Sequence, residues 1–145
     1  MIPATEYRVP EHTSARSNER ILDAARQRVF ARAAQPARIE RDLARLDEEW
    51  DVERTLETNA SALAFVGTML GAFVHPYFLA IPALVTAFLF QHAVQGWCPP
   101  LPILRALGFR TAKEILDERT ALKALRGDFV GCEGDPNASL GAARR

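Results

Sequence analysis

Apolar residues are spread along this chain in two different ways. From Thr58 to Leu104 there are 47 consecutive residues without an Asp, Glu, Lys or Arg, whereas on either side apolar positions alternate with charged ones at helical spacing. A hairpin in water carries charges on its wet face every few residues; a hairpin in lipid has no wet face. The run predicts an all-α membrane protein with a transmembrane helical hairpin over residues 58–97. Its first leg covers 58–74, His75-Pro76 makes the turn, and the second leg covers 77–96. The seventeen residues of the first leg span ~25 Å as a helix. That is a little short of a hydrocarbon core of about 30 Å, so Leu56 and local bilayer thinning make up the difference. The twenty residues of the second leg are enough. Pro82, early in that leg, removes a helical hydrogen bond and predicts a bend near the outer surface.

The N-terminal flank reads as a disordered tail over residues 1–16, then amphipathic cytoplasmic or interfacial helices over 17–57. Ser17 and Asn18 are good N-caps, and Ile21, Leu22, Ala25 and Val29 form a narrow apolar stripe. Pro36 ends that helix and starts the next. There Ile39, Leu43, Leu46 and Trp50 follow 4-3-4 spacing, which suits either a short dimeric coiled coil or a helix packed on a neighbour. Two heptads are too few to be stable alone.

Beyond the hairpin, residues 98–126 read as an interfacial segment and a short helix. Pro99-Pro100-Leu101-Pro102 suggests a stiff, extended exit, followed by an apolar stretch from Ile103 to Phe109. Thr111 and Glu114 have capping-box spacing for a helix that reaches about Arg126, with Gly127 as its C-cap. Residues 127–145, rich in Gly and Ala, read as a flexible tail.

Charge sets the orientation. The turn has no Lys or Arg, while Arg45 and Arg54 precede the first leg and Arg105, Arg110 and Lys113 follow the second. The positive-inside rule then gives a two-pass protein of the bacterial inner (cytoplasmic) membrane with both termini cytoplasmic. Trp50 and Trp97 mark the inner interface and Tyr77 the outer one. The formal net charge is zero, with 18 basic and 18 acidic residues interleaved, so there is no phosphate-binding stripe and no nucleic-acid partner is expected. No basic n-region precedes an apolar run at the N-terminus, which argues against a signal peptide.

Few residues invite chemistry. Gly67 and Gly71 form a GxxxG face that Ala60 and Ala64 extend. Such a face brings backbones close, either in a homodimer or against the second leg of the same chain. Asn59 lies at the depth of Gln91, His92 and Gln95, and these four polar groups are expected to hydrogen-bond across the hairpin. The sharper alternatives are a proton, metal or haem site on His92, or a pore lining. His92 has no second ligand at helical spacing, so no metal or cofactor is expected. Cys98 is the candidate reactive thiol. Pro99, Pro100 and Pro102 offer no N–H groups to stabilise a thiolate, which makes a structural thiol the plainer reading. Cys132 forms no CxxC pair with it.

Gly96-Trp97-Cys98-Pro99 after the hairpin, then Leu107-Gly108-Phe109-Arg110-Thr111, resembles the YgaP-like two-helix transmembrane domain family, over residues 51–111. Members end the second helix with G-x-C-P and continue into a Leu-Gly-hydrophobic-x-Thr segment. In some members the domain anchors a rhodanese sulfurtransferase. The resemblance therefore implies membrane tethering or sulfur traffic, with a cytoplasmic sulfurtransferase or thiol oxidoreductase as partner. This chain has no rhodanese domain, and it carries Pro100 and Pro102 between Cys98 and Gly108. Sulfurtransferase activity is therefore not implied.

Together these readings point to a non-enzymatic anchoring or interaction module in the lipid bilayer that self-associates or docks a cytoplasmic partner. The alternatives are a thiol or persulfide carrier built on Cys98, and a subunit of a small oligomeric channel.

Overall fold

The computed structural model describes residue 4 and residues 6–144. Among these the secondary structure is entirely helical: α1 (Arg8–Glu11), α2 (Ala15–Ala33), α3 (Ile39–Glu48), α4 (Val52–Phe73), α5 (Ala80–Gln95), α6 (Leu101–Leu107), α7 (Ala112–Arg126) and α8 (Pro136–Arg144). Short 3-10 turns at Pro36–Arg38 and Pro76–Leu79 lead into α3 and α5. The chain forms two compact units interleaved in sequence: residues 1–19 with 50–112, and residues 20–49 with 113–145.

The first unit is built on the α4–α5 hairpin. Asp51 caps α4, its Oδ1 accepting the backbone N–H of Arg54 at 2.7 Å. At the far end His75 caps the 3-10 turn, Nδ1 accepting from the Tyr77 N–H at 3.3 Å. Pro82 sits in the first turn of α5, where helical N–H groups lack an intrahelical partner, so its missing donor costs little and no bend is required there. Gly67 and Gly71 are buried against their own chain. A Cβ on Gly67 would lie 2.7 Å from Pro82 Cδ and 2.8 Å from Ile81 Cβ, and one on Gly71 2.5 Å from Leu79 Cδ2. The small face thus serves packing within the hairpin.

Among the described residues only Pro76–Gln95 is long and apolar enough on its own to cross a membrane, and just 6% of that span is buried within the protein. The first leg falls short because α4 starts at Val52, among charged residues, and because Asn59, Ser61, Thr68 and two glycines dilute its apolar content.

Below the hairpin lies a small core of Val9, Val52, Leu56, Cys98 and Leu101, with Leu104 and Phe109 packed against it. Two expectations change here. The N-terminal region is not irregular up to Arg16: residues 8–11 form α1, Val9 is fully buried, and α2 begins at Ala15 with Ser14 Oγ accepting the Ser17 N–H at 3.2 Å. The expected tail at residues 1–3 and 5 lies outside the described residues. The proline-rich exit is not extended either. Pro100 and Pro102 start α6, in its first turn, where proline costs no hydrogen bond.

Arg105, the first charge after the apolar run, is wholly buried and joins these pieces. It donates to Asn18 Oδ1 (2.9 Å), Thr13 Oγ1 (3.2 Å) and the Phe109 carbonyl (3.0 Å). A guanidinium out of water persists only when its donors are matched in this way.

In the second unit α3 lays Ile39, Leu43 and Leu46 on Leu122 of α7, with Val29 and Ile115 at the edge. The heptad seam is consumed inside the chain. Trp50 falls outside α3, is 44% exposed, and carries the Arg54 guanidinium 4.3 Å from its ring centroid. Arg28 grips buried Glu118 with two bonds of 2.8 and 2.7 Å, and Arg32 pairs with Asp42. The C-terminal segment is not wholly flexible. It forms α8, whose Ala142 is buried and whose Ala143 carbonyl accepts from buried Lys123 Nζ at 2.8 Å.

Gly96 tests the assembly of the first unit. It ends α5 at φ +79°, and a Cβ there would lie 2.5 Å from the Arg8 carbonyl oxygen. Gly108, at φ +97°, faces open space. Gly108→Ala should cost only left-handed backbone strain, about 1–3 kcal/mol. Gly96→Ala should cost distinctly more, read as a larger fall in thermal unfolding midpoint. Equal losses would contradict the close α1 contact.

Candidate functional site

The first unit contains a cleft of about 410 Å³ between α4, α5 and α6. Leu63, Leu84, Val85 and Phe88 form its walls toward the middle of the hairpin. Leu56, Asn59, His92, Cys98, Pro100 and Leu104 close it at the base, with Ala60 and Leu89 between. No Asp, Glu, Lys or Arg lines it. The helical register explains the composition: Asn59, Ala60 and Leu63 share one face of α4, and Leu84, Val85, Phe88, Leu89 and His92 follow 3-4 spacing along α5.

The four polar residues Asn59, Gln91, His92 and Gln95 do not form the network expected across the hairpin. Asn59 Nδ2 donates to the Thr55 carbonyl of its own helix at 2.9 Å. Gln91 Nε2 reaches Gln95 Oε1, one turn on along α5, at 3.5 Å. His92 and Asn59 line the cleft; Gln91 and Gln95 do not. His92 is only 4% exposed, and neither ring nitrogen has a hydrogen-bond partner. The geometric reason is that each amide reaches a neighbour on its own helix more easily than one on the facing helix. Of the small residues, Gly67 and Gly71 pack on the chain itself, Ala60 lines the cleft and Ala64 is half-buried.

Cys98 is 3% exposed, within the apolar core and at the cleft base. Burial pushes its thiol pKa up, against a weaker opposing effect of the backbone hydrogen bond at Leu101. A thiol held in the neutral form by apolar surroundings is a poor nucleophile. Cys132 is in the second unit, with Sγ 3.7 Å from the Asp128 carbonyl. Among the described residues no group of three or more His, Cys, Asp or Glu side chains is placed to hold a metal ion.

Beside His92 stands a pair that the sequence did not single out. Arg8 Nη1 donates to the Ala93 carbonyl at 2.9 Å, capping the end of α5, and its Nη2 lies 4.0 Å from Glu53 Oε1. Arg8 Nε and Glu53 Oε2 are buried without a hydrogen-bond partner. Only the tertiary fold brings residue 8 to residue 93, and no local pattern announces it. Arg105 had one signal in the sequence, its place at the end of the charge-free run.

The chain matches no protein-family model, no curated protein and no solved structure. Of the two motifs of the family resemblance, Gly96–Pro99 links α5 to α6, and Leu107–Thr111 runs from the last residue of α6 up to the start of α7.

Burial raises the pKa of Glu53, and Asp51 adds to the effect. Its own backbone hydrogen bond, Arg8 and Arg105 oppose it. A carboxyl whose folded pKa is raised favours the folded state most below its unfolded pKa, and that contribution is lost as pH rises through the folded value. Glu53→Gln should therefore raise the thermal midpoint at pH 7, with the gain vanishing in acid. Thermal unfolding of both proteins from pH 4 to 8 checks this, and a loss at pH 7 would show that the Arg8 pairing outweighs burial.

Proposed function

We propose that this chain is a non-enzymatic membrane-anchoring and interaction module, with α4 and α5 crossing the inner membrane twice and both flanks on the cytoplasmic side. One observation carries the reading: the hairpin exposes large apolar side chains over its surface with no charge among them. Phe65, Phe73, Tyr77 and Phe90 are 65%, 83%, 85% and 72% exposed. Soluble proteins seldom leave so continuous an apolar surface in water, and lipid is the medium that covers both legs at once. The absence of Lys and Arg at the hairpin turn, against Arg8, Arg54 and Arg110 around its base, supports the orientation.

The occupied small face of α4 moves any self-association to other surfaces. The charged outer faces of α2, α3 and α7 are the natural place for a cytoplasmic partner to dock. Burial of Cys98 favours this module over a thiol carrier, and the local bonding of Gln91 and Gln95 favours it over a pore.

The expected behaviour is retention in the membrane pellet after an alkaline carbonate wash. In a Cys132→Ser background, His75→Cys should react with a membrane-impermeant maleimide in intact cells. Val130→Cys should react only after permeabilisation. Release by carbonate, or labelling of both positions from the same side, would defeat the two-pass reading.

A further inference from the structure

We propose that the cleft between α4, α5 and α6 binds a neutral, single-headed amphiphile drawn from the bilayer, its carbonyl or hydroxyl head hydrogen-bonded to His92. The inference rests on the membrane reading and goes beyond it by assigning a ligand.

Three observations converge. His92 is more than nine-tenths buried, lines the cleft, and has both ring nitrogens without a partner. A buried polar group left unbonded costs on the order of 1–3 kcal/mol, so a side chain kept in this state calls for a partner that the chain does not supply. The remaining surroundings define that partner. The walls are aliphatic and aromatic, and no charged side chain lines them, which disfavours a phosphate or carboxylate head. A neutral imidazole offers one N–H donor and one acceptor nitrogen, matching a carbonyl or a hydroxyl equally well.

Shape fixes the rest. From His92 to Leu84 is eight residues of α5, about 12 Å along the helix axis. The cleft is thus an elongated slot with its polar end at the base of the hairpin and its apolar end toward the membrane midplane. An amphiphile lying in it keeps its head at the interfacial depth of Cys98 and Pro100 and its tail along Leu63 and Leu84. The volume, about 410 Å³, is within the range of small-molecule sites. Prenyl quinones and diacylglycerols both present this chemistry.

The test uses the full chain reconstituted in phosphatidylcholine nanodiscs and isolated by size exclusion, then titrated with decylubiquinone or dioctanoylglycerol and read by native mass spectrometry. The expected result is a one-to-one adduct with at least one of the two, identifying which head is preferred. His92→Leu should weaken it roughly tenfold, the loss of one hydrogen bond to a buried group. His92→Gln should largely restore it, and Leu84→Trp, which fills the slot from its lipid end, should abolish it. Absence of an adduct with both probes would overturn the proposal. So would adducts indifferent to His92→Leu or to Leu84→Trp. A chain that never enters the nanodisc would overturn the membrane reading, and the ligand proposal with it.

Discussion

A long surface of Phe, Leu, Val and Ala side chains with no ionic group has a large unfavourable free energy in water, and burying it costs nothing in lipid. In this chain that surface belongs to the two legs of a hairpin, which are too few to hide it from water by packing on each other. Glycines at 67 and 71 let the legs approach closely, but close approach covers only one stripe of each helix. The outward faces stay uncovered by the chain. The placement of every Asp, Glu, Lys and Arg outside residues 58–104 fits our proposal that lipid covers these faces.

The base of the hairpin is where the chain returns to polar chemistry, and its parts depend on one another. Gly96 turns the chain at a positive φ so closely under α1 that a side chain would strike Arg8. Arg8 in turn satisfies a carbonyl at the end of α5. Pro100 and Pro102 start α6, which carries Arg105 into the interior, where Asn18, Thr13 and the Phe109 carbonyl receive it. Cys98 fills space in the same apolar cluster. Within that region Arg8 Nε, Glu53 Oε2 and both ring nitrogens of His92 are buried without a hydrogen-bond partner, and of these residues His92 lines the cleft.

Much of this was legible in the sequence and some was not. The hairpin, its turn at His75-Pro76 and the helical ending at Arg126 with Gly127 in the left-handed region all follow from charge segregation, proline and glycine, which act locally. The α3 seam could be read, but not its partner, because Leu122 lies far along the chain and periodicity carries no long-range information. Val9 gave no signal, since one buried valine among prolines and charges resembles a tail. The four polar residues of the hairpin were read as a set at one depth. Depth does not specify partners, however, and the amides of Asn59 and Gln91 bonded along their own helices. That left His92 at the cleft with neither ring nitrogen bonded.

Whether lipid surrounds the hairpin is most directly settled by spin-label accessibility in reconstituted bilayers. Labels would be placed one at a time at Phe65, Thr86 and Phe90 in a Cys132→Ser background. Collision with oxygen, which concentrates in hydrocarbon, should exceed collision with a water-soluble nickel chelate at all three sites. A reversed ratio would mean that the hairpin stands in water, and low values for both reagents would mean that other protein covers it. Either result would contradict the membrane assignment.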